Sequence, residues 1–217
     1  YTTLFRFNLR LAVDTNVENM VTRATADEET LPDINDFSIT VLQNNNVQLS
    51  WNKYADFTDG TEIAAGNYTL KATYGNIETQ GFGAPYYEGA KEFSIKKNES
   101  TNISVICYLA NVKVTTEYTE LFKKYFTDYT VNIRPAGSTD ISFDKNETRA
   151  AYVKPGKISI YLSGSKQQGN KVTFEAATIE NAKARQHYRL KFDVQAGGTE
   201  LDVSFTDETE RVPITID

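Results

Sequence analysis

The stretch Thr101–Thr116, TNISVICYLANVKVTT, constrains this chain more than any other. Two alternating runs meet inside it almost without a spacer. Ile103, Val105 and Cys107 fall on one face of an extended chain, and Ala110, Val112, Val114 and Thr116 begin a fresh alternation. Period-two alternation marks a strand with one buried face. A tight hairpin would need Gly, Asn-Gly or Asp-Gly at the junction, and Tyr108-Leu109 supplies none. The last strand of one β-domain is therefore expected to run nearly straight into the first strand of the next. That reading divides the chain into 1–109 and 110–217.

The same pattern recurs on both sides of the junction. Leu4–Val13 sets Phe5, Phe7, Leu9, Leu11 and Val13 on one face and Arg6, Asn8 and Arg10 on the other. Phe37–Val41 and Val47–Trp51 flank an Asn-rich turn, and Asn tolerates positive φ. Short alternating segments with turn residues between them continue to Val212–Ile216. One helix is expected, a short crossover in which Tyr118, Leu121, Phe122 and Tyr125 recur at helical spacing. The reading is an all-β chain with a minor helix, built as two β-sandwiches in series.

Chemistry is sparse. A net charge of −6 argues against nucleic acid as a partner, since phosphate binding needs a basic field. The single cysteine, Cys107, cannot form an intrachain disulfide and stands in an apolar run, where burial makes it inert. No apolar run approaches the ~18 residues of a membrane helix. His187 is the sole histidine, so Cys–His pairs and Cys/His metal sites have no second member. A Ser–His–Asp triad would have to be built on it, yet no Gly-x-Ser-x-Gly elbow occurs. His187 is read as a surface or packing residue. The densest acidic cluster, Asp56, Asp59 and Glu62, departs from the calcium-loop pattern at its second ligand. It is read as turn chemistry, as is the cluster of Asp207, Glu208 and Glu210. No catalytic residue, metal ligand or cofactor is expected, and the chain is not read as an enzyme.

The aromatic run within Gly75–Gly89 is the candidate ligand loop. Phe82, Tyr86 and Tyr87 alternate with glycines there, and exposed rings beside polar groups suit sugars or a partner protein. The alternative is that these rings fold down and seal one end of a sandwich.

Several segments carry a resemblance. Asp36–Ile39, Ala65–Ala72, Pro85–Gly89 and Cys107–Val114 resemble Bacteroides-type surface lipoproteins described as cell-adhesion proteins of unknown function. That family is similar in turn to the fimbrillins, the pilins of Bacteroidales. In the second half the likeness rests mainly on His187-Tyr188-Arg189-Leu190 and the strand after it. The resemblance implies two transthyretin-like β-sandwich domains and a non-enzymatic fimbrial or adhesive role through other fimbrial or surface subunits. It also implies export to the cell surface, with outer-membrane anchoring by a lipid on a removed N-terminal segment. Because the family has no established ligand, glycan binding through the Phe82–Tyr87 loop stands as the alternative function.

The resemblance further implies that a protease cuts after an arginine in the long connection Asp14–Pro32, where Arg23 stands. Removal of the first strand would open a groove for a neighbour's strand. The candidate donor is Arg211–Asp217, in which Val212, Ile214 and Ile216 alternate and Pro213 removes one ladder donor. The alternative is that Arg23 is a solvated loop residue of a stable monomer.

Overall fold

The computed structural model describes residues 4–13, 31–97, 99–167, 169–194, 200–205 and 212–215, the last two stretches by backbone alone. Alternation becomes pleat at once in β1 (Leu4–Val13), where Phe7, Leu9 and Leu11 are buried and Arg6 and Arg10 face outward. β2 (Ser38–Gln43) and β3 (Asn46–Trp51) form the Asn-rich hairpin, with Asn44 and Asn45 at φ 49° and 64°. Asn enters that left-handed region more readily than other side-chain-bearing residues. β4 (Thr61–Ala64), β5 (Gly66–Tyr74), the two-residue β6 (Gly81–Phe82), β7 (Tyr87–Ile95) and β8 (Thr101–Leu109) follow. After them come β9 (Val112–Tyr118), α1 (Glu120–Tyr125), β10 (Phe126–Pro135), β11 (Ile141–Asp144) and β12 (Ala151–Val153). β13 (Gly156–Lys166), β14 (Lys171–Ala182), β15 (His187–Val194), β16 (Glu200–Phe205) and β17 (Val212–Thr215) complete the chain. It is all-β with one short helix and sandwich-like sheets. No helix among the described residues is long and apolar enough to cross a membrane.

The strands fall into two compact units. In the first the order is β3-β2-β5-β7-β8-β1-β4. β7 and β8 are in register only at Tyr87–Leu109 and Glu88–Tyr108, so the sheet folds over at that corner. The two wings then share a core: the Phe7 and Phe93 rings lie 5.8 Å apart, and Cys107 Sγ reaches the Ala72 carbonyl at 3.9 Å. β1 is an inner strand, parallel to β8 from Phe7–Thr101 to Val13–Cys107 and antiparallel to β4.

The second unit stacks β11-β10-β13-β14 and β17-β16-β15-β9-β12-β6. Val112, Val114, Val131, Phe143, Ile160 and Phe192 are completely buried in its core. A parallel pair recurs here, β9 with β15. The segment Ile77–Ala84 groups with this unit and supplies β6 beyond β12, and Pro85–Ala110 returns to the first.

Two expectations change in the structure. Alternation fails at the start of β9, where Val112, Lys113 and Val114 are all buried. In register Lys113 stands between Tyr152 of β12 and His187 of β15, two large side chains on the same face of the sheet. The helical stripe is also narrower than its spacing suggests. Tyr118 lies in β9, Leu121 is half exposed, and Phe122 alone of α1 is buried. Thr119 caps the helix by accepting from Phe122 N at 3.2 Å, and six residues are too few to present a full apolar face.

Candidate functional site

The aromatic run is divided between the two units. Phe82 sits in β6, opposite Ala151, with its ring edge-on to Phe143 at 4.9 Å. The Arg149 guanidinium lies 5.0 Å over the same ring. Arg149 also grips Glu147 at 2.7 Å, which holds that carboxyl down to about 2. The approach to β6 is tied to the second unit as well. Gln80 Oε1 accepts from Lys154 N at 2.8 Å, Gln80 Nε2 donates to Ser138 Oγ at 3.1 Å, and Lys154 pairs with Glu78. Phe82 therefore plugs the edge of a core, and the cation over it uses one ring face.

Tyr86 and Tyr87 belong to the first unit. Tyr87 is buried and its ring lies 6.4 Å from Phe37, so it is a core residue. Tyr86 is half-buried. Its hydroxyl donates to Glu88 Oε2 at 3.0 Å, and burial, reinforced by that carboxylate, pushes the phenol up to about 12. Its carbonyl accepts from Ala110 N at 2.8 Å. Gly75, at φ +79°, lets the chain turn beside Pro85: a Cβ there would stand 2.3 Å from the Pro85 oxygen. Of the three rings, Tyr86 alone keeps a polar tip toward the surface.

A second aromatic group was not singled out from the sequence. Trp51 meets Phe57 edge-on at 5.2 Å, and Tyr54 stacks on Phe57 at 6.2 Å. The Tyr54 hydroxyl donates to the Leu9 carbonyl at 2.9 Å, which anchors the group to β1. Its signal was the three-residue spacing of Trp51, Tyr54 and Phe57 around a single 3-10 turn at Tyr54–Asp56. Two members of the neighbouring acidic cluster are engaged by bases: Arg10 binds Asp59 at 3.1 Å and Arg6 binds Glu62 at 3.3 Å. These exposed pairs organise the wet face of β1 and contribute little stability.

Among the described residues no group of three or more His, Cys, Asp or Glu could hold a metal ion. His187 Nε2 lies 2.9 Å from Thr115 Oγ1, a contact between neighbouring parallel strands. Arg23, Asp207, Glu208, Glu210 and Arg211 lie outside the described residues, as do Ile216 and Asp217. Within the candidate donor run, Val212–Thr215 is β17, paired antiparallel with β16.

The profile of the family described as "Domain of unknown function (DUF4493)" matches residues 6–217. The chain belongs to this family. Its fold is shared with a fimbrial assembly protein from Parabacteroides distasonis at TM-score 0.54 and 11% identity, covering 83% of this chain and 91% of that one. A "putative cell adhesion protein" from Bacteroides ovatus superposes at TM-score 0.53 and 9% identity, covering 99% of each chain. Another so described, from Bacteroides uniformis, gives TM-score 0.50 and 12% identity over 83% of this chain and 94% of that one. The kinship expected from the sequence holds at the level of fold. Among curated proteins, none matches this chain.

Proposed function

We propose that this chain is a non-enzymatic fimbrial or cell-adhesion surface subunit that acts through protein–protein contacts and assembles by strand exchange at β1. The observation that carries this reading is the seating of β1. It is an inner strand, bonded to β8 and β4, and it buries Phe7 and Leu9 completely while Arg6 and Arg10 stay wet. Loss of such a strand uncovers apolar pockets and two rows of backbone donors and acceptors, a template for another strand. The proposed cut is after Arg23 and the proposed donor is Arg211–Asp217. On this reading the chain works as two tandem domains, 1–109 and 110–217. It is exported to the cell surface, held at the outer membrane by a lipid ahead of Tyr1, and joined to other fimbrial or surface subunits.

Limited digestion with an Arg-specific protease, followed by sizing, tests it. A cut at Arg23 that releases the β1 peptide and yields higher oligomers is expected. A cut product that stays monomeric with both pieces attached overturns strand exchange.

The second reading, a glycan-binding module, is favoured only by Tyr86, whose hydroxyl and Glu88 offer a polar pair beside a half-buried ring. Calorimetric titration with saccharides separates the two readings: binding abolished by Tyr86→Ala supports the glycan module, and no saccharide heat removes it.

A further inference from the structure

The two units repeat one strand plan, down to its register. The order β3-β2-β5-β7-β8-β1-β4 of the first becomes β11-β10-β13-β14 and β15-β9-β12 in the second. Each plan opens with a strand parallel to one neighbour and antiparallel to the other. Buried Ile39 of β2 stands opposite Trp51 of β3 and Ala72 of β5. Buried Val131 of β10 stands opposite Phe143 of β11 and Leu162 of β13 in the same way. Trp51 and Phe143 are thus equivalent positions, and each meets another ring edge-on: Phe57 at 5.2 Å and Phe82 at 4.9 Å.

The two rings have different origins. Phe57 comes from the connection between β3 and β4 of its own plan. The equivalent connection, 145–150, reads KNETRA and has no ring to give. Phe82 comes instead from Ile77–Ala84, a segment whose flanking residues group with the first unit. β6 is therefore an addition to a complete plan: β4, the equivalent of β12, is the outermost strand of its sheet. The added segment is read at every second residue. Glu78 pairs with Lys154, Gln80 bonds Lys154 N and Ser138 Oγ, and Phe82 meets Phe143 under the Arg149 guanidinium. Backbone pairing with β12 plus engagement of alternate side chains is how a strand-addition site reads a peptide. The hold is slight, because β6 is in register with β12 only at Gly81 and Phe82, and Gly83 N reaches the Ala150 carbonyl at 3.4 Å.

We infer that the β12 edge, with Phe143, Arg149, Ser138 and Lys154, is a peptide-acceptor site. Its ligand is an extended segment of the pattern acidic-x-amide-x-aromatic, and Ile77–Ala84 is the resident occupant, bound in cis. The seated segment itself selects that class: a carboxylate for Lys154, an amide that both accepts and donates, and a ring for the cation above it. The site lies on the second unit's own strands and operates with β1 in place.

A fluorescently labelled peptide of Ile77–Ala84, IETQGFGA, added to the full chain tests this by anisotropy. In the double variant Gln80→Ala/Phe82→Ala the tethered segment loses two of its three contacts. That variant should bind the peptide at least about tenfold more tightly than the unaltered chain, whose own segment competes at a millimolar effective concentration. A peptide with alanine for its phenylalanine should lose that binding. A second measurement uses the unaltered chain: peptide at about ten times that effective concentration should displace the segment and accelerate amide exchange at Gly83, read by NMR. A folded double variant that ignores the peptide, or that binds the alanine peptide equally well, overturns the inference. Where the double variant does not fold, the unaltered chain decides, and Gly83 exchange unmoved by the peptide overturns it.

Discussion

Gly89 passes the Ile106 carbonyl so closely that a Cβ on Gly89 would stand 2.4 Å from that oxygen. The contact lies just past the corner where β7 and β8 stop pairing, so glycine is what lets the two wings of the first unit part there. Gly89→Ala forces backbone to move. A loss of about 1–3 kcal/mol, several degrees in melting temperature, is expected by calorimetry. An unchanged melting temperature shows that the corner is not tight.

Val112 is completely buried in the second core. Val112→Asp places a carboxylate among the apolar side chains of that core, a cost of several kcal/mol against a total stability of about 5–15 kcal/mol. Thermal denaturation should show collapse or deep destabilisation; a wild-type midpoint would mean the core does not include this strand.

Phe82 is half-buried against Phe143, and β6 depends on that contact and on the Gly83 N–H to Ala150 carbonyl bond. Phe82→Ala should cost about 2 kcal/mol, less than a fully buried phenylalanine. Hydrogen exchange at Gly83 and Lys154 should accelerate well before the rest of the second unit opens. Uniform acceleration would show that β6 is not a locally held strap.

Burial, with Glu88 adding to it, pushes the Cys107 thiol up to about 12. A thiol reagent at pH 8 should therefore label the protein at the rate of unfolding and react at once in denaturant. Rapid labelling of the native chain would contradict the burial.

The Tyr118 hydroxyl is buried without hydrogen-bond geometry to any partner, with the Thr116 hydroxyl as a polar neighbour. Burial pushes its phenol from 10.0 up to about 12. Because the folded value is raised, its contribution to stability is intact below pH 10 and is lost as the pH climbs through 12. Tyr118→Phe should be near neutral at pH 7 and should move the alkaline unfolding midpoint upward, read by circular dichroism. Cys107 and Tyr86 titrate in the same alkaline range and leave a residual slope.

Strand identity was legible because alternation is local: Phe7, Leu9, Ile103 and Val105 declare a buried face within a few residues of themselves. The Asn44-Asn45 turn was legible for the same reason, since positive φ selects residue types directly. The candidate site was less so. Tyr87 and Tyr86 are adjacent in sequence and alike in composition, yet one is core and the other keeps its hydroxyl at the surface. That difference follows from strand phase at the start of β7.

What only the tertiary structure decided was partnership. β1 and β8 are both plain alternating strands, and nothing local says that they lie side by side and parallel. Lys113 reads as an outward residue until strands on both sides of β9 enclose it. Phe82 reads as part of a loop until β12 gives it a strand to join. A residue's own sequence neighbourhood determines which way its side chain alternates; which surface it meets depends on segments tens of residues away, whose pairing is chosen by the burial of the whole core.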